Sequence, residues 1–177
     1  KRRTRYKVEG IALLVRRAAF LRPAEIRELE LEPDFCDRVA QIAVLEHRDS
    51  GRSVVVANTH LTVAHASNDH DIPMCRPMQI RQVLEALREA SRPDSAVFLC
   101  ADMNCDHLEP EAPGGPYTTA DVSRPVQMVL DGGYSSALHE AFPATRPISH
   151  TCHYAQDGYT DYVFFRPDAH TKLSSGA

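Results

Sequence analysis

No two cysteines in this 177-residue chain stand at Cys-x-x-Cys spacing, so no zinc ribbon can be read from it. Cys36, Cys75, Cys100, Cys105 and Cys152 are odd in number and frame no disulfide scaffold, which favours a reducing, intracellular compartment, cytoplasmic or nuclear. Apolar runs are short. None approaches the roughly 20 residues of a membrane-spanning helix, and no charged, apolar, small-residue leader opens the chain, so a soluble protein is expected. Positive charge is not in excess: the formal net charge is −4, which excludes a globally basic nucleic-acid binder. Lys1-Arg-Arg-Thr-Arg-Tyr-Lys7 is a local basic cluster that could meet phosphates, although an exposed, charged terminus is the simpler reading. A Gly-rich phosphate loop and a G-x-S-x-G nucleophile elbow are both missing. Internal repeats, low-complexity tracts and a domain boundary are missing too, so residues 1–177 are expected to form one domain with a sizeable core.

What is present is a set of apolar runs that end in polar, chemically useful residues. Residues 95–104, Ser-Ala-Val-Phe-Leu-Cys-Ala-Asp-Met-Asn, read as a buried strand closing on Asp102 and Asn104. Alternation along a strand sends both side chains to one side, and the carboxyl ends of strands in layered α/β proteins open onto ligand crevices. Val54-Val-Val-Ala-Asn-Thr-His60 has the same shape, and Tyr159-Thr-Asp-Tyr-Val-Phe-Phe165 is its inverse, with Asp161 leading into the apolar run.

Further strands are predicted over residues 8–15 and 38–45, the latter joined to 53–58 as a hairpin through Asp49-Ser-Gly51. Residues 62–76, polar and rich in His and Asp, read as a loop. Pro77 suits a first helical turn, and Ile80, Val83, Leu84 and Leu87 fall on one helical face. Ser91-Arg-Pro-Asp-Ser95 stops that helix. Residues 109–116 read as a loop. A second helix is predicted from about Ser123 and Pro125, burying Val126, Val129 and Leu130 and ending at Gly132-Gly133. The order strand, loop, helix, strand indicates a mixed α/β layer.

Phosphodiester cleavage needs an aligned water, positive charge on the phosphoryl oxygens and a donor near the leaving oxygen. Asp can hold water or a metal, Asn can orient phosphate without adding repulsion, and His can donate to a phosphoryl oxygen. Taken singly, Asp102 and Asn104 would be ordinary turn residues, His60 an edge histidine and Asp161 half of an ion pair. Three separate apolar strand ends carrying these residues together point to one mouth. His65, Asp69, His70 and Asp71 are a tempting metal cluster, but they lack a spacing that fixes geometry and read better as solvated loop. His150-Thr-Cys-His153 precedes the Asp161 strand closely enough to line the same mouth.

In chain order, Glu9-Gly10 before an apolar run, Asn58-Thr-His-Leu61, Asp102-Met-Asn104 and Thr160-Asp-Tyr-Val-Phe164 resemble the endonuclease/exonuclease/phosphatase superfamily, most nearly its deadenylase and 2′-phosphodiesterase branch. The resemblance covers most of the chain. It implies a deoxyribonuclease-I-like, four-layer α/β/β/α sandwich with mostly antiparallel mixed sheets, of which this chain would be roughly the second half. It also implies a Mg²⁺-dependent phosphodiesterase, with Mn²⁺ an alternative ion, acting on RNA or another nucleotide phosphodiester. By the same resemblance, His60 would contact the scissile phosphate and Asp102 would align or activate water. Asn104 would support the phosphate, and Asp161 would orient a catalytic His. Asn58 and His150 would bind substrate, and Asp102 and Asn104 could approach a second metal.

Two parts of the family pattern have no counterpart in the chain: the Glu that is the principal metal ligand, expected in a preceding amino-terminal half, and the closing Ser-Asp-His triplet. His170 lies too soon after the Asp161 strand to replace it. The missing half is therefore the expected partner segment, and residues 1–177 alone are expected to be inactive and poorly stable, with an exposed sheet edge and apolar face. Two other readings are a sphingomyelinase-like or inositol-phosphate phosphodiesterase and a noncatalytic binding relic of the fold. The polar loop at 62–76 does not favour a membrane-facing enzyme.

Overall fold

Two β-branched runs, Arg38–Glu46 (β2) and Ser53–His60 (β3), pair antiparallel around the Asp49-Ser-Gly51 turn, as the hairpin signal predicts. Gly51 takes the left-handed backbone (φ 64°) that the turn requires, and its N–H donates to the His47 carbonyl at 2.8 Å. In this computed structural model the described residues are 10–21, 23, 25–32, 38–62, 72–105, 119–141 and 160–166, with the side chains of 72–74 and 119–124 left aside. Glu25–Leu31 (β1) pairs antiparallel with β2. Ala96–Asp102 (β4) runs parallel to β3, and Asp161–Arg166 (β6) pairs antiparallel with β4. Ser135–Ser136 (β5) closes the far edge beside β6. The sheet order is β1-β2-β3-β4-β6-β5. The chain is thus mixed α/β, with a six-stranded, mostly antiparallel sheet.

A parallel pair cannot be closed by a tight turn. Ile72–Ala90 (α1) makes the β3 to β4 crossover, and Thr119–Asp131 (α2) packs beside it. Ile80, Val83 and Leu87 on α1 and Val126 and Val129 on α2 are buried with Val55, Ala57, Val97, Leu99, Tyr162 and Phe164 of the sheet. A Schellman motif ends α2: Tyr134 N–H reaches the Val129 carbonyl (3.4 Å) and Gly133 N–H the Leu130 carbonyl (3.0 Å), with Gly133 at φ 83°. A short helix, Ala137–Ala141 (α3), follows β5.

The other sheet face carries Ile26, Val56, Phe98, Cys100 and Val163, with Ile26 62%, Phe98 36% and Val163 46% exposed. Among the described residues there is one sheet with helices against one side of it, which corresponds to two of the four expected layers.

Several sequence expectations are corrected. Residues 10–15 form no strand; they are tied to the open face by Asn58 Nδ2 donating to the Ala12 carbonyl at 3.0 Å. Apolar alternation produces a strand only where a neighbour supplies ladder partners. Helix α1 starts at Ile72 rather than Pro77, so residues 72–76 belong to a helix and not to a loop. Pro73 occupies the first turn, where its missing N–H costs nothing, and Pro77 lies a turn further in. Helix α2 starts at Thr119, ahead of Ser123. Strand β1 has no clear signal in the sequence, because its Glu and Arg content hides a strand whose Leu29 and Leu31 turn inward. Lys1 to Lys7, Glu9, His65, Asp69, His70, Asp71, the 109–116 loop, His150, His153, Tyr159 and His170 lie outside the described residues.

Candidate active site at the strand ends

Register brings the site together. His60 at the end of β3 is the Cα partner of Asp102 at the end of β4, and Asp102 is the Cα partner of Asp161 at the start of β6. Directly opposed residues of neighbouring strands share a sheet face. The three side chains therefore project side by side where the parallel strands end, the usual crevice of an α/β sheet. His60 Nε2 stands 3.4 Å from Asp102 Oδ2, both side chains about a third exposed, and Asp161 is exposed.

Asn104 joins them by a different route from strand alternation. Strand β4 stops at Asp102, and Asn104 sits in the bend beyond it at φ 49°, a left-handed conformation that Asn tolerates better than most residues. Asn104 N–H donates to Asp102 Oδ1 at 3.0 Å, and its Nδ2 donates to the Leu61 carbonyl at 2.7 Å. The Asn104 Oδ1 is left without a hydrogen bond among the described residues. Asn58, two residues before His60, is placed on the open face beside Gln41 and Cys100. Burial pushes the Cys100 thiol up, so it stays protonated and is a poor nucleophile.

Three supporting side chains escaped sequence reasoning. Arg38, which opens β2, donates from Nη1 to His60 Nδ1 at 3.2 Å. On α1, Arg76 is only 3% exposed and donates from Nη1 to the Asn104 carbonyl. One turn on, Gln79 is fully buried: Thr62 N–H donates to its Oε1 (3.1 Å) and its Nε2 donates to Thr62 Oγ1 (2.8 Å). Helix α1 thus holds both site loops, the one after His60 through Gln79 and the one after Asp102 through Arg76. The signal was present: Arg76 and Gln79 are in phase with the buried stripe of Ile80, Val83 and Leu87, and a buried polar group requires a partner. Gln79→Leu leaves the Thr62 N–H and hydroxyl buried without partners, and a loss of about 1–3 kcal/mol is expected in the urea unfolding of the variant. An unchanged midpoint would show that the Gln79 to Thr62 pair holds nothing in place.

Residues able to hold a divalent ion are few. No group of three potential ligands occurs among the described residues. Asp102 Oδ2 and Asn104 Oδ1 are hard oxygen donors of the kind Mg²⁺ accepts, and Mg²⁺ is commonly bound through one or two carboxylates with water and substrate oxygens filling the shell. Asp102 and Asp161 are carboxylates directly opposed across antiparallel strands, an arrangement that repels and that a cation relieves. The donor set fits such an ion as part of a coordination shell.

No protein-family model matches the chain, and no curated protein is similar enough to match it. Solved structures do match. The human nocturnin catalytic domain with bound sulfate superimposes with a TM-score of 0.59 at 18% identity, covering 84% of this chain and 49% of that one. TDP2 of D. rerio, complexed with a single-strand DNA product, gives 0.57 at 19% identity over 88% of this chain and 56% of that one. A mannosyl-6-phosphatase of Bacteroides thetaiotaomicron gives 0.55 at 16% identity over 86% and 55%. The chain therefore has the fold of the endonuclease/exonuclease/phosphatase proteins, and it spans about half the length of the structures it matches.

Proposed function

We propose that this chain carries the phosphate-handling half of a metal-dependent phosphodiesterase, an RNA 3′-end exonuclease of the deadenylase kind. The observation that carries the reading is the registered row of His60, Asp102 and Asp161 across β3, β4 and β6, with Asn104 folded back toward it. The fold likeness supports it, since proteins of this fold include one solved with a DNA product and one named a sugar phosphatase.

In this reading His60 donates a hydrogen bond to a non-bridging phosphoryl oxygen. Asp102 aligns the attacking water on the far side from the leaving oxygen and accepts its proton as the new P–O bond forms, while the P–O bond to the leaving ribose oxygen breaks and that oxygen takes a proton from solvent. Asn104 Oδ1 and Asp102 Oδ2 would be the oxygen donors offered to Mg²⁺, or Mn²⁺, and such an ion would supply neutralisation of charge on the phosphoryl oxygens. Asp161 adds a carboxylate at the rim, suited to orient an imidazole from outside the described residues. The open apolar face with Phe98 and Val163 suits the second sheet that the complete sandwich supplies.

The test is hydrolysis by the full-length protein of 3′-oligoadenylate with and without Mg²⁺, beside oligodeoxynucleotide, inositol phosphate and sphingomyelin. Release of 5′-AMP from the RNA that EDTA removes is expected. Preference for either of the last two substrates would move the activity to another phosphoester, and the absence of any turnover would leave a noncatalytic relic of the fold.

A further inference from the structure

We infer that Arg38 is a positioning residue that selects the tautomer of His60 with the proton on Nε2, so that this nitrogen serves the mouth as a hydrogen-bond donor. A guanidinium carries only donors, whereas a neutral imidazole offers one donor and one acceptor. Arg38 Nη1 lies 3.2 Å from His60 Nδ1. That nitrogen must therefore present its lone pair, because an N–H there would face an N–H.

With Nδ1 as acceptor, the ring proton resides on Nε2, the nitrogen that faces Asp102 Oδ2 at 3.4 Å. This separation exceeds the usual N–H···O distance of about 2.9–3.0 Å. The donor is aimed into the mouth without being saturated by the carboxylate, and an incoming phosphoryl oxygen can take it. The opposite tautomer would set the Nε2 lone pair against the Asp102 carboxylate and against any phosphate, and both contacts would be repulsive. Arg38 thereby separates the roles of two neighbouring groups: His60 donates, and Asp102 is left to handle the water.

The tautomer follows from the geometry alone, whereas its effect on turnover rests on the phosphodiesterase reading. Two-bond ¹H–¹⁵N correlation spectra of the full-length protein near neutral pH report the tautomer directly, with the His60 signals identified by their loss in His60→Gln. The expected wild-type pattern is protonated Nε2 and unprotonated Nδ1, and Arg38→Met is expected to give a mixture of tautomers. Turnover is expected to fall roughly 10- to 100-fold in Arg38→Met, the range typical of partners that orient a reacting group, and to recover in Arg38→Lys, which keeps a donor. A wild-type Nδ1–H form, an imidazolium, or an unchanged pattern in Arg38→Met would overturn the inference. If the wild type hydrolyses no phosphodiester, the proposed activity fails, and the spectra still decide the role of Arg38.

Discussion

Asp102→Asn is expected to lower phosphodiester hydrolysis by the full-length protein by roughly 10²- to 10⁴-fold, the range assigned to a lost proton acceptor or charge stabiliser, with little change in Tm. The substitution is nearly isosteric. An Asn side-chain oxygen can still accept from the Asn104 N–H, as Asp102 Oδ1 does at 3.0 Å, so the bend after β4 keeps its shape. What disappears is the negative charge beside His60 and opposite Asp161, the charge to which the proposed mechanism gives the alignment of water and part of the hold on a cation. Single-turnover rates at saturating Mg²⁺, taken with a melting curve of the same sample, distinguish lost chemistry from lost folding. Activity within a few-fold of wild type would remove Asp102 from the mechanism.

Phe164→Ala tests the scaffold and not the chemistry. Phe164 has no exposed surface, lies between Leu99 and Ser136 in the sheet register, and stacks on Tyr162 with ring centroids 5.1 Å apart. Truncating a buried Phe removes apolar area and leaves a cavity that the surrounding sheet and helices cannot fully close. The expected cost is about 3–5 kcal/mol, read as a lower urea midpoint. Because β6 also carries Asp161 at its first position, activity should fall only as far as the folded fraction does at temperatures below the transition. A midpoint shift near that of a surface substitution, within about 0.5 kcal/mol, would show that Phe164 does not anchor β6 in the core.

Core strands and site ends were legible in the sequence because each is a local pattern. Val54 to His60 and Ala96 to Asp102 are apolar runs of strand length that stop at polar residues, and the stripe of Ile80, Val83 and Leu87 has the helical period; all three form as the pattern requires. Helix starts were less legible, since Pro77 and Ser123 both look like first-turn residues and both lie inside longer helices. The run at 10–15 has strand character without a ladder, and the charged β1 has a ladder with little strand character. In each case the deciding factor was the neighbouring strand, which local composition does not encode.

By itself, then, the sequence determined that polar residues close or open the apolar strands, with His60 ending one, Asp102 ending the next with Asn104 just beyond it, and Asp161 starting a third. Only the tertiary structure decided that β3, β4 and β6 are neighbours in a register that aligns them, that Asn104 arrives through a left-handed bend, and that Arg38, Arg76 and Gln79 support the mouth. The physical reason is range. Side-chain periodicity is set by the backbone within a few residues, whereas strand order, register and the pairing of a buried guanidinium or amide are set by segments far apart in sequence that meet only when the core closes.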